Sequence, residues 1–155
     1  MKRISSCLAI LFLLAFSGLA YPNVLVVSDQ LQKVSLTTPL PTWKETEPTT
    51  PDKALTQSFD TAVFRDAQTY GNDAHWIKLE FTAELPVSGS KKVYLVSSDH
   101  VNRHFDFYLF EGSRQIKQAS LGVADYPRAE TYQGTSFSFD ISDQQQLTVL
   151  VRKVG

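Results

Sequence analysis

The densest group of polar side chains in the sequence is the segment DHVNRHFD, residues 99–106. His100 and His104 are four residues apart, and Asp106 follows two residues later. Alternate residues of a strand share a face, so these three side chains could together bind a metal ion or a polar ligand. A metal site needs three or more converging ligands, and the same pattern fits a solvated strand face entered through a loop. We favour the solvated face and predict no metal site.

A second candidate site combines aromatic rings with a guanidinium group. Tyr126, Arg128 and Tyr132 lie close together in a loop, residues 122–134, between two predicted strands. Tyrosine hydroxyls and a planar guanidinium can hydrogen-bond and stack against a polar ligand. Arg128 could instead pair with a neighbouring acidic residue, and the sequence leaves both interpretations open.

Trp76 stands at the start of the most regular strand pattern and also has two interpretations. An exposed tryptophan can serve as a stacking platform for a sugar. A tryptophan at this position in a strong strand is more often a packing residue, and we favour packing.

The sequence contains no familiar catalytic motif: no G-x-S-x-G, no H-E-x-x-H, no phosphate-binding glycine loop and no EF-hand run. The single cysteine, Cys7, lies in the amino-terminal leader described below, so thiolate chemistry is not expected in the remaining chain. A Ser-His-Asp triad leaves no signature in one sequence, because its members can lie far apart, and nothing here points to one. We predict a protein that is not an enzyme and has no cofactor.

The elements that would position these residues are short strands in which apolar and polar residues alternate. The clearest segments are HWIKLEF (75–81), HFDFYLF (104–110), FSFDI (137–141) and LTVLV (147–151), with further strands expected at Val93–Ser97 and Gln115–Leu121. Period-two alternation gives each strand one apolar face, which is typical of antiparallel sheets packed face to face. We predict an all-β fold, a jelly-roll β-sandwich. Residues 86–92 are expected to form a polar turn, with Lys91 and Lys92 as solvated charges.

The first twenty residues have the layout of a secretory signal peptide. Lys2 and Arg3 precede a thirteen-residue apolar run, and small residues stand before the expected cleavage site at Tyr21. A membrane-spanning helix needs roughly twenty apolar residues, so the run is short for an anchor. We therefore expect export to the periplasm. Removal of residues 1–20 takes away two of the 15 basic residues and none of the 16 acidic ones, so the net charge becomes −3.

Residues 21–53 precede the regular strand pattern. An apolar run at 24–27 is followed by a stretch, residues 37–53, with four prolines and six threonines. Proline cannot donate to a β-ladder, so we expect a loop here with one short edge strand around Trp43, or alternatively a disordered linker. The expected organisation is a signal peptide (1–20), amino-terminal strands with the Thr/Pro-rich segment (21–53) and the sandwich domain (54–155).

Composition and charge exclude several classes of protein. With 155 residues, 43% of them hydrophobic and 20% charged, the chain suits a single globular domain. The net charge of −1 argues against a nucleic-acid partner, because binding to phosphates needs a basic surface.

The ordered series of strands and loops from Gly71 to Val154 resembles a known family. Its segments are HWIKLEF, KKVYLV, HVNRHFDFYLFEG, YPRA, FSFDI and QQLTVLVRKV. This series is similar to the second extracellular domain of bacterial seven-transmembrane receptors with diverse intracellular signalling modules (7TMR-DISM). The residues at the family's motif positions are Trp76, Asp106, Tyr108, Gly122, Pro127, Arg128 and Arg152. The series also resembles the galactose-binding-like jelly roll of sugar-binding domains in glycoside hydrolases.

The resemblance implies a periplasmic jelly-roll sensor that binds carbohydrate or another small ligand. In full receptors such a domain precedes a seven-helix membrane unit connected to a diguanylate cyclase or a histidine kinase. This chain stops at Gly155, where family members usually continue with another strand, so we expect a truncated receptor that lacks its last strand or a solitary derivative. The alternatives are a stand-alone carbohydrate-binding module and a secreted protein-interaction domain. The candidate ligand-binding residues are Arg128, Tyr126, Tyr132, Asp106, Tyr108, His104 and Trp76.

Overall fold

The computed structural model describes residues 24–34, 36, 39–61, 73–97, 104–121 and 135–154. These residues contain eight strands and one short helix. The elements are β1 (Val24–Ser28), β2 (Thr42–Lys44), α1 (Pro51–Leu55), β3 (His75–Glu84), β4 (Ser90–Ser97), β5 (His104–Glu111), β6 (Arg114–Leu121), β7 (Thr135–Ser142) and β8 (Gln146–Val154).

Six strands form one large sheet, five of them in the order β1-β3-β8-β5-β6 and the sixth, β2, paired with β3 beside β1. The two amino-terminal strands share one edge of β3, where β1 pairs in parallel along Glu80–Glu84 and β2 pairs antiparallel along His75–Ile77. β8 lies in the middle and pairs antiparallel with both β3 and β5. The residues before position 54 are therefore part of the same sheet as the regular strand pattern.

The second sheet consists of β4 and β7, which pair antiparallel from Ser90↔Ser142 to Ser97↔Thr135. Its inner face packs on the large sheet, and the rings of Phe107 and Phe137 stack across the interface with centroids 5.0 Å apart. The buried core consists of Val27, Leu79, Phe81, Ala83, Leu85, Phe105, Phe107, Leu109, Phe137, Phe139, Ile141, Leu147, Val149 and Val151. These are the apolar positions of the alternating strands, so the prediction of an all-β sandwich is confirmed.

A second apolar cluster covers the outer face of the large sheet. Ala54, Trp76, Phe110 and Leu150 are buried together there. Ala54 comes from α1, a five-residue helix with Pro51 in its first turn, where the missing N–H costs no hydrogen bond. Of the two alternatives that the sequence left open for residues 37–53, the structure has the short strand at Trp43. The helix was not predicted, because five residues are too few to show a helical period.

The hairpin doublet Lys91-Lys92 is only partly solvated, contrary to the sequence-based expectation. The Lys91 Nζ donates to the carbonyl oxygens of Ser28, Asp29 and Leu31 at 2.7, 3.0 and 2.6 Å. It thereby joins the turn after β1 to the small sheet, whereas Lys92 is exposed. The predicted turn over residues 86–92 was also too long, since β4 already starts at Ser90, opposite Ser142.

Gly112 turns β5 into β6 with φ +59°, a left-handed conformation that favours glycine. Within the described residues, no helix is long and apolar enough to cross a membrane.

Candidate functional site

A row of side chains runs across the outer face of the large sheet near the start of β3. Trp43, Trp76, Arg152, Asp106 and Ser120 are consecutive cross-strand partners on β2, β3, β8, β5 and β6. Because directly opposite residues of neighbouring strands lie on the same face, the ladder alone brings these five side chains together. We call this set the outer-face row.

Glu45 follows β2 and places its carboxylate over the outer-face row. Its Oε2 accepts hydrogen bonds from Trp76 Nε1 at 2.6 Å and Arg152 Nε at 2.7 Å, and its Oε1 accepts one from Arg152 Nη2 at 3.0 Å. The backbone N–H of Glu45 donates to the Ala74 carbonyl at 2.9 Å, which fixes the chain at this point. The pair with Arg152 is therefore bidentate, the strongest arrangement for these two groups.

Burial and hydrogen bonding oppose each other at Glu45, whose side chain is only 5% exposed. Burial by itself would raise the pKa of the carboxyl, but the hydrogen bonds from Arg152 and Trp76 outweigh it and hold the pKa below the ordinary value. The hydrogen bond to Glu45 likewise raises the pKa of Arg152. Both groups are thus charged in the folded domain.

Asp106 is the second acidic residue of this polar network, by which we mean Glu45 and Arg152 with the side chains that contact them. Its Oδ2 lies 3.7 Å from Arg152 Nη1. Its Oδ1 lies 2.8 Å from His104 Nε2 and accepts a hydrogen bond from Ser120 Oγ at 2.6 Å. His104 is half exposed and Ser120 is exposed, so this side of the network meets solvent.

Two aromatic rings also border the network. The rings of Trp76 and Tyr108 lie 5.6 Å apart at 30°, and the Arg152 guanidinium lies 5.9 Å from the Trp76 ring. Burial raises the pKa of the Tyr108 hydroxyl, and the negative charge of Asp106 raises it further. Trp76 is 1% exposed, so its ring is a packing group here and not an open stacking platform.

The family whose model matches the chain is described as 7TMR-DISM extracellular 2, and the match spans residues 45–154. The chain belongs to the 7TMR-DISM extracellular 2 family. Members of this family are extracellular sensor domains of seven-transmembrane receptors, so the chain is a sensory extracellular domain. No curated protein matches the chain.

The match confirms the resemblance seen in residues 71–154 and extends it towards the amino terminus. In this 7TMR-DISM extracellular 2 domain the matched region starts at Glu45, the residue that closes the network over Arg152. All residues of the polar network therefore lie within the matched range, residues 45–154.

The predicted site residues of this 7TMR-DISM domain fall into two groups. The structure brings four of them into one network, namely Trp76, His104, Asp106 and Tyr108. Tyr126, Arg128 and Tyr132, together with His100, lie outside the described residues, so their proposed contacts stay predictions.

Sequence reasoning missed three members of the network as site residues, namely Arg152, Glu45 and Ser120. Arg152 occupies a family motif position, and its cross-strand place opposite Trp76 would follow once strand register is known. Glu45 gives no sequence signal, because it lies in the Thr/Pro-rich segment 31 residues before the tryptophan that it binds.

Proposed function

We propose that this domain is the periplasmic ligand-sensing part of a bacterial membrane receptor and that it binds carbohydrate or another small molecule. The observation that carries the proposal is the family match over residues 45–154. The leader-like segment 1–20 supports export to the periplasm. The receptor's output would be a diguanylate cyclase or a histidine kinase on the other side of the membrane.

The polar network supports the assignment of the ligand-binding residues. His104 and Asp106 present hydrogen-bonding groups at the solvent side of the outer-face row, and Tyr108 lies beside them in β5. We assign these residues to ligand binding together with the sequence-predicted Arg128, Tyr126 and Tyr132. Trp76 would position the network rather than touch the ligand, since it is buried.

The proposed mechanism is a shift between two arrangements of the domain. A ligand that binds one arrangement more tightly increases its population, and a membrane unit can respond to that difference. The ligand can shift the equilibrium between the two arrangements by no more than the difference between its binding free energies for them.

The test combines export with binding. The full chain, tagged at its carboxyl end, would be expressed in a bacterium, fractionated, and purified from the periplasm. We expect a mature amino terminus at Tyr21 and a thermal shift with members of a carbohydrate and metabolite library. His104→Ala should weaken that shift. A chain that stays in the cytosol, or that responds to no compound in the library, would contradict the proposal.

A second candidate function is protein interaction through the small sheet. Tyr94 and Val96 are exposed on its outer face. Within the described residues β4 and β7 pair only with each other, which leaves edges available for an added strand. Copurification of one periplasmic protein by the wild-type chain, lost in a Val96→Lys variant, would favour this function over small-molecule sensing.

A further inference from the structure

The strands at the two ends of the large sheet, β1 and β6, differ in how their outer edges are protected. Among the described residues, β1 pairs only with β3 and β6 only with β5. An unpaired edge offers backbone N–H and C=O groups to any further strand, and proteins usually block such an edge with charged side chains or proline. The two edges can therefore be compared as docking sites.

The edge at β6 is blocked by positive charge. This strand of eight residues contains Arg114 and Lys117, and both are exposed. The Lys117 Nζ donates to the Ser138 carbonyl of β7 and so ties the edge to the small sheet. A second β6 laid alongside would add two more positive charges to the same edge, and like charges oppose pairing.

The edge at β1 has no such protection. The strand Val24–Ser28 contains neither a charged residue nor a proline. Leu25 and Val27 pack into the core, whereas Val24 and Val26 lie on the outer face and are 37% and 44% exposed. An apolar, uncharged edge strand with exposed valines is the type of edge to which another strand adds.

The described chain after β1 turns away from this edge. In the turn, the Leu31 N–H donates to the Ser28 carbonyl at 3.2 Å. Lys91 of the small sheet binds the same turn through three carbonyl oxygens, and Leu36 packs against the core between the sheets. The chain is therefore drawn towards the small sheet, and no described segment forms a ladder with the outer edge of β1.

We propose that β1 is a self-association edge, at which two copies of the chain pair antiparallel about a two-fold axis at Val26. In this register Val26 lies opposite the partner's Val26, and Val24 lies opposite the partner's Ser28. The same patch serves both copies, as a two-fold interface requires. The large sheet then continues from one copy into the other. The pairing needs no ligand and so goes beyond the proposed function.

The charge pattern favours a second copy as the occupant. Because Val24–Ser28 is uncharged, two antiparallel copies meet no like charges, and their outer valines form an apolar cross-strand pair. An uncharged edge also gives no electrostatic preference for an acidic or a basic foreign strand. A second β1 has matching length and chemistry, and its addition closes the assembly at two copies.

The contact is small, since it involves five residues of each copy. Stable interfaces bury about 1,600 Å² in total, so the dimer should be weak in solution. Two receptors confined to one membrane have a high effective concentration, which allows a weak contact to form. We expect a dissociation constant below about 1 mM for the exported chain in sedimentation equilibrium.

Cross-linking tests the register. The chain's single cysteine, Cys7, lies in the leader that export is expected to remove. In Val26→Cys the two introduced thiols would face each other across the axis with Cβ atoms about 5 Å apart, close to disulfide geometry. With diamide as oxidant, this variant should form a covalent dimer at least about tenfold faster than Ile116→Cys. Ile116, 42% exposed on β6, is the matched control.

A charge exchange tests the same contact without a covalent bond. Val26→Lys and Val26→Glu should each remain monomeric, because like charges then meet at the axis. An equimolar mixture of the two variants should dimerise again. The melting temperature of each monomer should stay close to that of the wild type, since the Val26 side chain points to solvent. Ile116→Lys should dimerise as the wild type does. If the charge variants fail to fold, the cross-linking result decides.

Three results would overturn the proposal: a wild type that stays monomeric up to about 1 mM, cross-linking of Val26→Cys no faster than that of Ile116→Cys, or dimers that persist in both charge variants. Cross-linking of Val26→Cys to one other periplasmic protein, in place of a second copy, would also overturn it and identify a foreign strand as the occupant. Ligand binding is measured separately, so the sensor proposal stands or falls on its own test.

Discussion

Arg152 and Glu45 form a bidentate ion pair across 107 residues of sequence, with Nε–Oε2 and Nη2–Oε1 distances of 2.7 and 3.0 Å. Arg152 belongs to the central strand β8, and Glu45 follows the edge strand β2. The pair therefore joins the Thr/Pro-rich segment to the middle of the large sheet. Glu45 Oε2 also accepts the hydrogen bond from Trp76 Nε1, in addition to the one from Arg152 Nε.

Arg152→Ala should destabilise the domain by about 3 kcal/mol. The substitution leaves the carboxylate of Glu45, 5% exposed, without its cation, and the desolvation cost of that charge is then uncompensated. Urea denaturation followed by tryptophan fluorescence measures the change.

Arg114→Ala is the matched control for that experiment. Arg114 pairs with Glu111 at 2.7 Å on the exposed β5–β6 hairpin, where water screens the interaction. We expect a change of less than about 1 kcal/mol. Equal losses in the two variants would show that burial of the Glu45 pair contributes nothing.

Glu45→Gln should flatten the acid side of the stability profile. The folded pKa of Glu45 lies below its ordinary value of 4.5, so the ionised carboxylate stabilises the fold above that pH. The stabilisation is lost as the pH falls through the folded pKa. The wild type should therefore lose more stability than the variant below about pH 4.5. Denaturation midpoints from pH 7 to pH 3 test this, and equal acid-side losses in the wild type and Glu45→Gln would contradict it.

Trp76→Ala should cost about 3–5 kcal/mol, because a buried indole leaves a large cavity in the outer cluster. Trp76→Phe keeps most of the volume but removes the Nε1–H that Glu45 accepts, so we expect a loss of about 1–2 kcal/mol. The half-buried Trp43, on the neighbouring strand, is the control, and Trp43→Phe should change stability less than Trp76→Phe. A near-neutral Trp76→Ala would mean that the indole does not pack.

Lys91→Met should loosen β1 without unfolding the sandwich. The variant keeps the side-chain length but removes three hydrogen bonds to the turn at Ser28–Leu31. Amide hydrogen exchange of Val24–Ser28 should become faster in Lys91→Met. In Lys92→Met, where the replaced lysine is exposed, exchange of the same amides should match the wild type. Unchanged exchange in both variants would rule out a role for Lys91 in holding β1.

The fold could be predicted from the sequence where one face of a strand is apolar. In HWIKLEF and HFDFYLF the alternation predicts which residues share a face. The structure agrees, with Phe107 in the core between the sheets and Tyr108 on the outer face. The alternation carries no information on pairing partners. The parallel pairing of β1 with β3 and the central place of β8 depend on which residues meet across the sheet, and only the three-dimensional structure shows that.

In the candidate site, too, the sequence predicts which residues of one strand share a face but not which residues meet across strands. His104 and Asp106 could be placed on one face from their spacing, because two residues is the strand period. The Arg152–Glu45 pair could not be predicted, since Arg152 lies on β8, whose register cannot be read from the sequence, and Glu45 follows β2 outside any strand.

The place of β8 has a consequence for when this domain can fold. As the last strand of the structure, it lies between β3 and β5, so the part of the large sheet formed by β1, β2 and β3 cannot be joined to the part formed by β5 and β6 before β8 is present. The pairing of Leu79 with Val149 also closes a long loop, which slows folding. During synthesis, the large sheet therefore cannot be completed until Gln146–Val154 have been made, whatever the order in which the earlier strands pair.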